Sequence, residues 1–396
     1  MKRISQVSAI SCFAKLNGVA KNMIPFNKPS IVGREFALME EAIARGQLSG
    51  DGYFTGLCNE RIAELTGAQA ALLTHSCTAA LEIAAILCDL EPGDEVIMPS
   101  FTFTSTANAV ALRAAVPVFV DIDPDTLNID PTLVEAAITS KTKAIFAVHY
   151  AGFPADMDVL SQIAKAHDLL LVEDAAQALG STYKGRQAGT LGDMATFSFH
   201  ETKNIISGEG GALVLNDPNL IARAEIIREK GTNRSSFFRG QVDKYTWVDI
   251  GSSFLPGELI AAFLYGQLEQ EPEIRARRLA QFDKYSEAFA GLENAGHLRC
   301  AKAPPHTTGN GHMFYLRLPD RGARDTLIAH LRSCEIFAPF HYIPLHSAPA
   351  GLKYGRVNGA LPITDHISDT LVRLPIFYSL GDDIDKVISA VHECFQ

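Results

Sequence analysis

The sequence predicts an α/β fold: a large domain built on a mainly parallel sheet, then a smaller C-terminal α+β unit. Three observations predict it. Apolar runs of four to six residues with little alternation recur between residues 70 and 215, the pattern of strands buried on both faces. Amphipathic stretches separate these runs, as crossover helices do. Beyond residue 257 the pattern changes to a long helical stretch and then a short mixed unit.

In chain order, residues 36–66 read as helix, broken at Gly46 and at Gly50-Asp51-Gly52. Residues 70–73 read as a strand, 78–89 as a helix rich in Ala, Leu and Ile, and 95–98 as a strand stopped by Pro99. A helix over 104–113 and a strand over 116–120 follow. The helix expected at 131–139 has Asp130 as N-cap and proline in its first position. Next come a strand at 143–148, a helix at 156–167 and a strand at 169–173. After Asp193, the runs 195–199 and 212–215 lie too close for a crossover helix, which predicts a hairpin-like addition to the sheet. Residues 257–290 read as one long helix or two end to end. The rest reads as loop at 301–311, strand at 312–317, and helices at 323–334 and 383–395. This divides the chain into an N-terminal extension (1–22), a large domain (23–255), and a linking helix with the small domain (256–396).

Composition narrows the function. The 396 residues are 47% hydrophobic and 20% charged, as in an ordinary globular chain. With 35 Lys+Arg against 45 Asp+Glu the net charge is −10, which weighs against nucleic-acid or anionic-membrane binding but leaves room for a local basic pocket. No apolar run approaches the roughly 20 residues of a membrane span. Seven cysteines without a C-x-x-C pair read as reduced thiols of a cytoplasmic enzyme, neither a disulfide framework nor a zinc site. Near the N-terminus, Ser8, Ser11 and Lys15 interrupt the apolar stretch after Lys2 and Arg3, so no signal peptide is expected.

Four stretches carry candidate chemistry. Lys203 lies between an apolar strand and the glycine-rich Gly208–Gly211 turn, where ligands bind in open α/β folds and where an amine can form a Schiff base with a carbonyl cofactor. Taken alone, a solvated loop lysine is the commoner reading. Asp174 ends a buried strand and is placed to pair with a protonated pyridine nitrogen, with Gln177 on the next turn; a helix-capping Asp is the alternative. Thr74-His-Ser-Cys-Thr-Ala-Ala80 opens a helix whose free amides suit a phosphate or merely a cap. Phe101 and Phe103 stand in a strand-to-helix loop, where one could lie on a planar ring or pack in the core. The order along the chain is the specific signal: phosphate cup, aromatic, acid with glutamine, serine, then a lysine 29 residues after the acid. That order points to an enzyme using pyridoxal 5'-phosphate (PLP).

With these residues in view, the chain resembles the sugar-nucleotide aminotransferases of the DegT/StrS group. The resemblance runs from Met23-Ile-Pro-Phe-Asn-Lys-Pro29 to the C-terminus. It is carried by Gly93-Asp-Glu-Val-Ile-Met-Pro-Ser-Phe-Thr-Phe103, Val172-Glu-Asp-Ala-Ala-Gln177 and Ser198-Phe-His-Glu-Thr-Lys-Asn204. Three later stretches match the branch that aminates TDP-4-oxo-6-deoxyglucose: Arg228-Glu-Lys-Gly-Thr-Asn-Arg-Ser235, Arg239-Gly-Gln-Val-Asp-Lys-Tyr-Thr-Trp247 and His341-Tyr-Ile-Pro-Leu-His346. The resemblance implies the PLP-dependent transferase fold type I, like aspartate aminotransferase.

It also implies the roles. Lys203 becomes the cofactor-binding, proton-shuttling catalytic lysine, and Asp174 the partner of the pyridine nitrogen. Gln177 contacts the ring hydroxyl and Phe103 stacks on the ring. The Thr78 and Ala79 amides and Ser198 hold the phosphate. The resemblance implies a homodimer with shared sites, in which an Asn reaches across to the phosphate; Ser253, with a shorter side chain, occupies that position here. Arg234 and Arg239 are candidates for the substrate pyrophosphate, and His200, His341 and His346 for the sugar. Surface charge or packing is the alternative for each.

The implied reaction is TDP-4-oxo-6-deoxy-D-glucose plus L-glutamate to TDP-4-amino-4,6-dideoxy-D-galactose plus 2-oxoglutarate, with pyridoxamine 5'-phosphate as the intermediate cofactor form and without a metal. Its product would serve a cell-envelope polysaccharide such as enterobacterial common antigen or O-antigen. The competing readings are a different keto-sugar, at C3 or with opposite C4 stereochemistry, and a non-catalytic PLP-binding regulator.

Overall fold

The computed structural model describes residues 23–396; the expected extension 1–22, with Cys12, lies outside the described residues. At its centre is an eight-stranded sheet. From one edge the strands are Ala70–Thr74, Gly211–Leu215, Met194–Ser198, Leu170–Asp174, Thr142–Val148, Glu95–Pro99, Val116–Val120 and Arg356–Val357. Gly211–Leu215 alone runs against the others, pairing antiparallel with both of its neighbours. It is the return arm of the expected hairpin.

The parallel strands are buried because helices cover both faces, and their mostly apolar sequences follow from that. Leu81, Ile83 and Leu87 of the Cys77–Leu87 helix pack on one face with Met98, Phe146 and Leu213. On the other, Val134, Met157 and Leu160 pack with Ile97, Val118 and Ile145. Helix starts are fixed locally: Ser76 accepts from the Ala79 amide, Asp130 from Thr132 and Asp156 from Val159. The Tyr53–Thr66 helix is capped from a distance instead. Buried Glu258 accepts the amides of Phe54 (2.6 Å), Thr55 (3.1 Å) and Gly52 (3.1 Å).

The stretch read as one or two helices is two, Glu258–Glu269 and Glu271–Asn294. The second carries the small domain, whose antiparallel sheet has the order Arg299–Cys300, Phe314–Arg317, Leu371–Leu374. Tyr285, Phe289, Phe314, Leu327, Leu371 and Val391 form its core. The chain crosses the expected 255/256 boundary in both directions. Ile24 bridges to Ile336 of the small domain, and Arg356–Val357 joins the edge of the large sheet. Three short pieces have no sequence periodicity to announce them: Leu371–Leu374, Arg356–Val357, and Thr307–Thr308, which pairs with Thr182–Tyr183 inside the stretch read as loop. Among the described residues no helix is long and apolar enough to cross a membrane.

Glu258→Ala would leave three amides at a buried helix start without an acceptor. A loss of about 2–4 kcal/mol is expected, read as a lower urea midpoint with unchanged far-UV circular dichroism before the transition.

Candidate active site

A cavity of about 840 Å³ lies where the C-terminal ends of the parallel strands meet the small domain. Its floor is set by backbone pairing. Gly211 lies opposite Thr74 on one side and opposite Ser198 on the other. A Cβ at Gly211 would collide with Ser76 and the Cys77 nitrogen, so glycine is what lets the strand close on the start of the Cys77–Leu87 helix. There the Ala79 amide is taken by Ser76 Oγ at 3.1 Å. The amides of Cys77 and Thr78 have no such partner among the described residues, while that of Ala79, expected with Thr78 to meet a phosphate, is engaged by the cap. The Thr78 hydroxyl lies 2.8 Å from Ser105 Oγ.

Between the hairpin arms the chain makes a tight excursion. Phe199 donates to Gly210, and Ser207 to Phe199. Buried Ile205 and Ile206 anchor the excursion, and Asn204 Nδ2 ties it to the Asn310 carbonyl at 2.9 Å. Lys203 is thereby turned into the cavity. Burial pushes its pKa down; Cys77 and Asp174 pull the other way, and the Arg373 guanidinium adds to the lowering. The environment favours the neutral, nucleophilic amine.

The adjacent acids Glu173 and Asp174 face opposite sides of their strand. Glu173 is tied into the core, paired with His149 Nε2 (2.8 Å) and accepting the Gly189, Leu191 and Gly192 amides. Asp174 faces the cavity, where its carboxylate accepts from Thr106 Oγ1 (2.7 Å) and the Ala176 amide (3.2 Å). Gln177 accepts from the Ala151 amide (2.7 Å) and donates to the Tyr342 hydroxyl (3.1 Å). Phe103 exposes its ring at the mouth, and Ser198 and His200 line the wall.

The cavity brings together Thr78, Phe103, Asp174, Gln177, Ser198, His200, Lys203 and His341. The other expected residues do not line it. Arg234 pairs with Glu229 at 3.3 Å, and Arg239 grips Glu225 with two bonds of 2.7 and 3.0 Å. Ser253 is exposed in extended chain that bridges to Glu229. His346 bonds Ser100 Oγ at 2.8 Å and lies 3.4 Å from Asp365. Three wall residues escaped sequence reasoning: Tyr342, His312 and Arg373. Tyr342 stands inside the quoted His341–His346 stretch, whereas nothing local marks His312 or Arg373. Burial first, and then nearby cations, push His312 and His341 well below the ordinary histidine range, so both rings are neutral. Arg373 donates to the Phe340 carbonyl (2.9 Å) and covers the Phe26 ring at 4.5 Å, and its buried Nε has no partner.

An amine, a facing carboxylate, free helix-start amides and an exposed aromatic around one cavity fit a flat, phosphorylated, carbonyl-bearing cofactor. Comparison with known proteins agrees. A profile of the DegT/DnrJ/EryC1/StrS aminotransferase family matches residues 29–392. The uncharacterized protein MJ1066 of Methanocaldococcus jannaschii is 35% identical over 333 residues, 82% of this chain and 86% of that protein. The aminotransferase TlmJ of Streptoalloteichus hindustanus superposes with a TM-score of 0.84 at 31% identity, covering 94% of this chain and 98% of that one. Spr1654 of Streptococcus pneumoniae, in its pyridoxamine-phosphate form, gives 0.86 at 28% identity, covering 94% and 98%.

Fixation of PLP on Lys203 by borohydride should follow the neutral amine, with a pH midpoint below the ordinary lysine value of 10.5. Arg373→Gln removes one of the effects lowering that pKa, so the midpoint should move up; mass-spectrometric yield against pH measures it.

Proposed function

Because the chain belongs to the DegT/DnrJ/EryC1/StrS aminotransferase family, we propose that it moves the amino group of L-glutamate to the keto carbon of a nucleotide-linked sugar. TDP-4-oxo-6-deoxy-D-glucose would be the acceptor and TDP-4-amino-4,6-dideoxy-D-galactose the product, destined for a cell-envelope polysaccharide. The enzyme is a PLP-dependent aminotransferase. When bound, PLP supplies a carbonyl that takes up the amino group and a ring that accepts the electron pair left on the donor's α-carbon.

The chain's own residues do the rest. Asp174 would hold the ring nitrogen in its protonated form, and the Cys77 and Thr78 amides with Ser198 would hold the phosphate. Phe103 would cover one ring face, and Gln177, fixed by Ala151 and Tyr342, would face the hydroxyl. Lys203 Nζ, its pKa lowered by burial, accepts the donor's α-proton and delivers it one position away; the reverse sequence serves the sugar. The observation that carries this reading is the Lys203 amine sharing one cavity with Asp174.

Arg373 is assigned the donor's α-carboxylate. It reaches the cavity from the small domain, no carboxylate pairs with it among the described residues, and its Nε lacks a partner. A buried unpaired cation is costly, so an anionic ligand stabilises it. His341 and His312 offer neutral ring edges to the sugar.

Ser253, Arg234 and Arg239 fit the reading only if they serve the cavity of a second copy. The neighbouring Phe238, Tyr245 and Trp247 are exposed, as contacts for such a copy would be.

The decisive experiment is the absorbance of the PLP-loaded protein. The carbonyl-form band should bleach with L-glutamate and return with TDP-4-oxo-6-deoxyglucose, and Lys203→Ala should abolish both changes. Return only with another nucleotide keto-sugar would keep the reaction and replace the acceptor; no bleaching with any amino donor would make the protein a PLP binder. Arg373→Gln should raise KM for glutamate about ten- to hundredfold, the worth of a charge-assisted bond. Recovery by the sugar should change little, as steady-state and single-turnover kinetics would separate.

A further inference from the structure

Outside the cavity, three potential metal ligands converge on the far face of the small domain. His330 and Cys334 stand one turn apart at the C-terminal end of the Arg321–Ser333 helix, and so share a face. Glu393 is the last residue of the Asp383–Glu393 helix, which packs alongside. One ligand atom from each lies within 4.8 Å of the other two. We propose that His330, Cys334 and Glu393 form a binding site for a divalent cation of the Zn²⁺ type.

Direct bonding joins these three groups only weakly. Cys334 Sγ is 3.8 Å and Glu393 Oε2 3.9 Å from His330 Nε2. The Glu393 separation exceeds the roughly 3.2 Å limit of a good N–H···O bond. With Zn–N and Zn–O near 2.0–2.1 Å and Zn–S near 2.3 Å, a tetrahedral site needs edges of about 3.3–3.6 Å. The two edges to His330 would shorten by a few tenths of an ångström, and the Cys334–Glu393 edge, at most 4.8 Å, would close by rotation of the exposed Glu393 side chain.

Charge supports the same conclusion. Two helices end here, with Cys334 and Cys394 as their C-caps, and the unpaired carbonyls of a helix C-terminus favour a cation. The donor set of one imidazole, one thiol and one carboxylate selects Zn²⁺ over Mg²⁺ or Ca²⁺. The fourth position falls to water. Binding converts the Cys334 thiol to a Zn-bound thiolate and releases its proton to solvent. No C-x-x-C pair marks the site, because its ligands come from one helical turn and a helix about 60 residues further on.

The test is a Co²⁺ titration of tag-free, PLP-loaded, reduced full-length protein after chelator treatment. One equivalent should give the visible absorption of four-coordinate Co²⁺ with thiolate ligation, and Zn²⁺ should displace it. His330→Ala and Cys334→Ser should each abolish it, and the exposed Glu393→Gln should weaken Co²⁺ binding at least about tenfold. Retained glutamate-dependent bleaching in each variant would show that it folds and that the outcome is independent of the aminotransferase site. No four-coordinate spectrum, or one unchanged in His330→Ala or Cys334→Ser, overturns the proposal.

Discussion

One row of backbone pairing places the chemistry of this protein. Thr74, Gly211 and Ser198 lie side by side because a single antiparallel strand is inserted into an otherwise parallel sheet. The row seats a helix start beside Ser198 and makes the chain leave and re-enter the sheet within a dozen residues, with Lys203 in the excursion. A parallel connection would need a crossover too long to hold the lysine so tightly. Gly211 is the weak point of the row, since any side chain there would strike the helix start.

The electrostatics are as local as the geometry. A chain of net charge −10 gathers Lys203, Arg278 and Arg373 around one cavity, with Asp174 as the acid facing them. Arg278 spends its donors on the Gly311 and His312 carbonyls and so shapes the wall. Arg373 stays under-bonded. An under-bonded cation in such a cavity is stabilised by an anionic ligand.

The parallel core and the Lys203 excursion were legible in the sequence because both rest on local signals: uninterrupted apolar runs, and two strands too close for a helix. Asp174 was legible as the end of such a run. Arg373 and His312 were not, since they reach the cavity through folding of the small domain and no spacing marks them. The arginines at 234 and 239 are close in sequence, but within one chain they lie away from the cavity and pair with glutamates. Ala79 shows the limit of a cap motif, because Ser76 serves as the helix cap and takes the amide expected to meet phosphate.

Arg356–Val357 pairs with Val118 and Phe119 at one side of the large sheet, and Arg356 grips Glu95 with bonds of 2.8 and 2.7 Å. At the opposite side Asn59 Oδ1 accepts the Leu73 amide at 2.7 Å, and the Phe254 carbonyl accepts the amide of His75 just beyond the strand. The Ala70–Thr74 margin thus carries polar partners where ladder groups would otherwise invite another strand, and at the other margin the last strand is only two residues long. A crowded, apolar parallel sheet is a template for fibrous stacking. Covering such groups with side chains limits backbone-to-backbone pairing at the edge of a sheet.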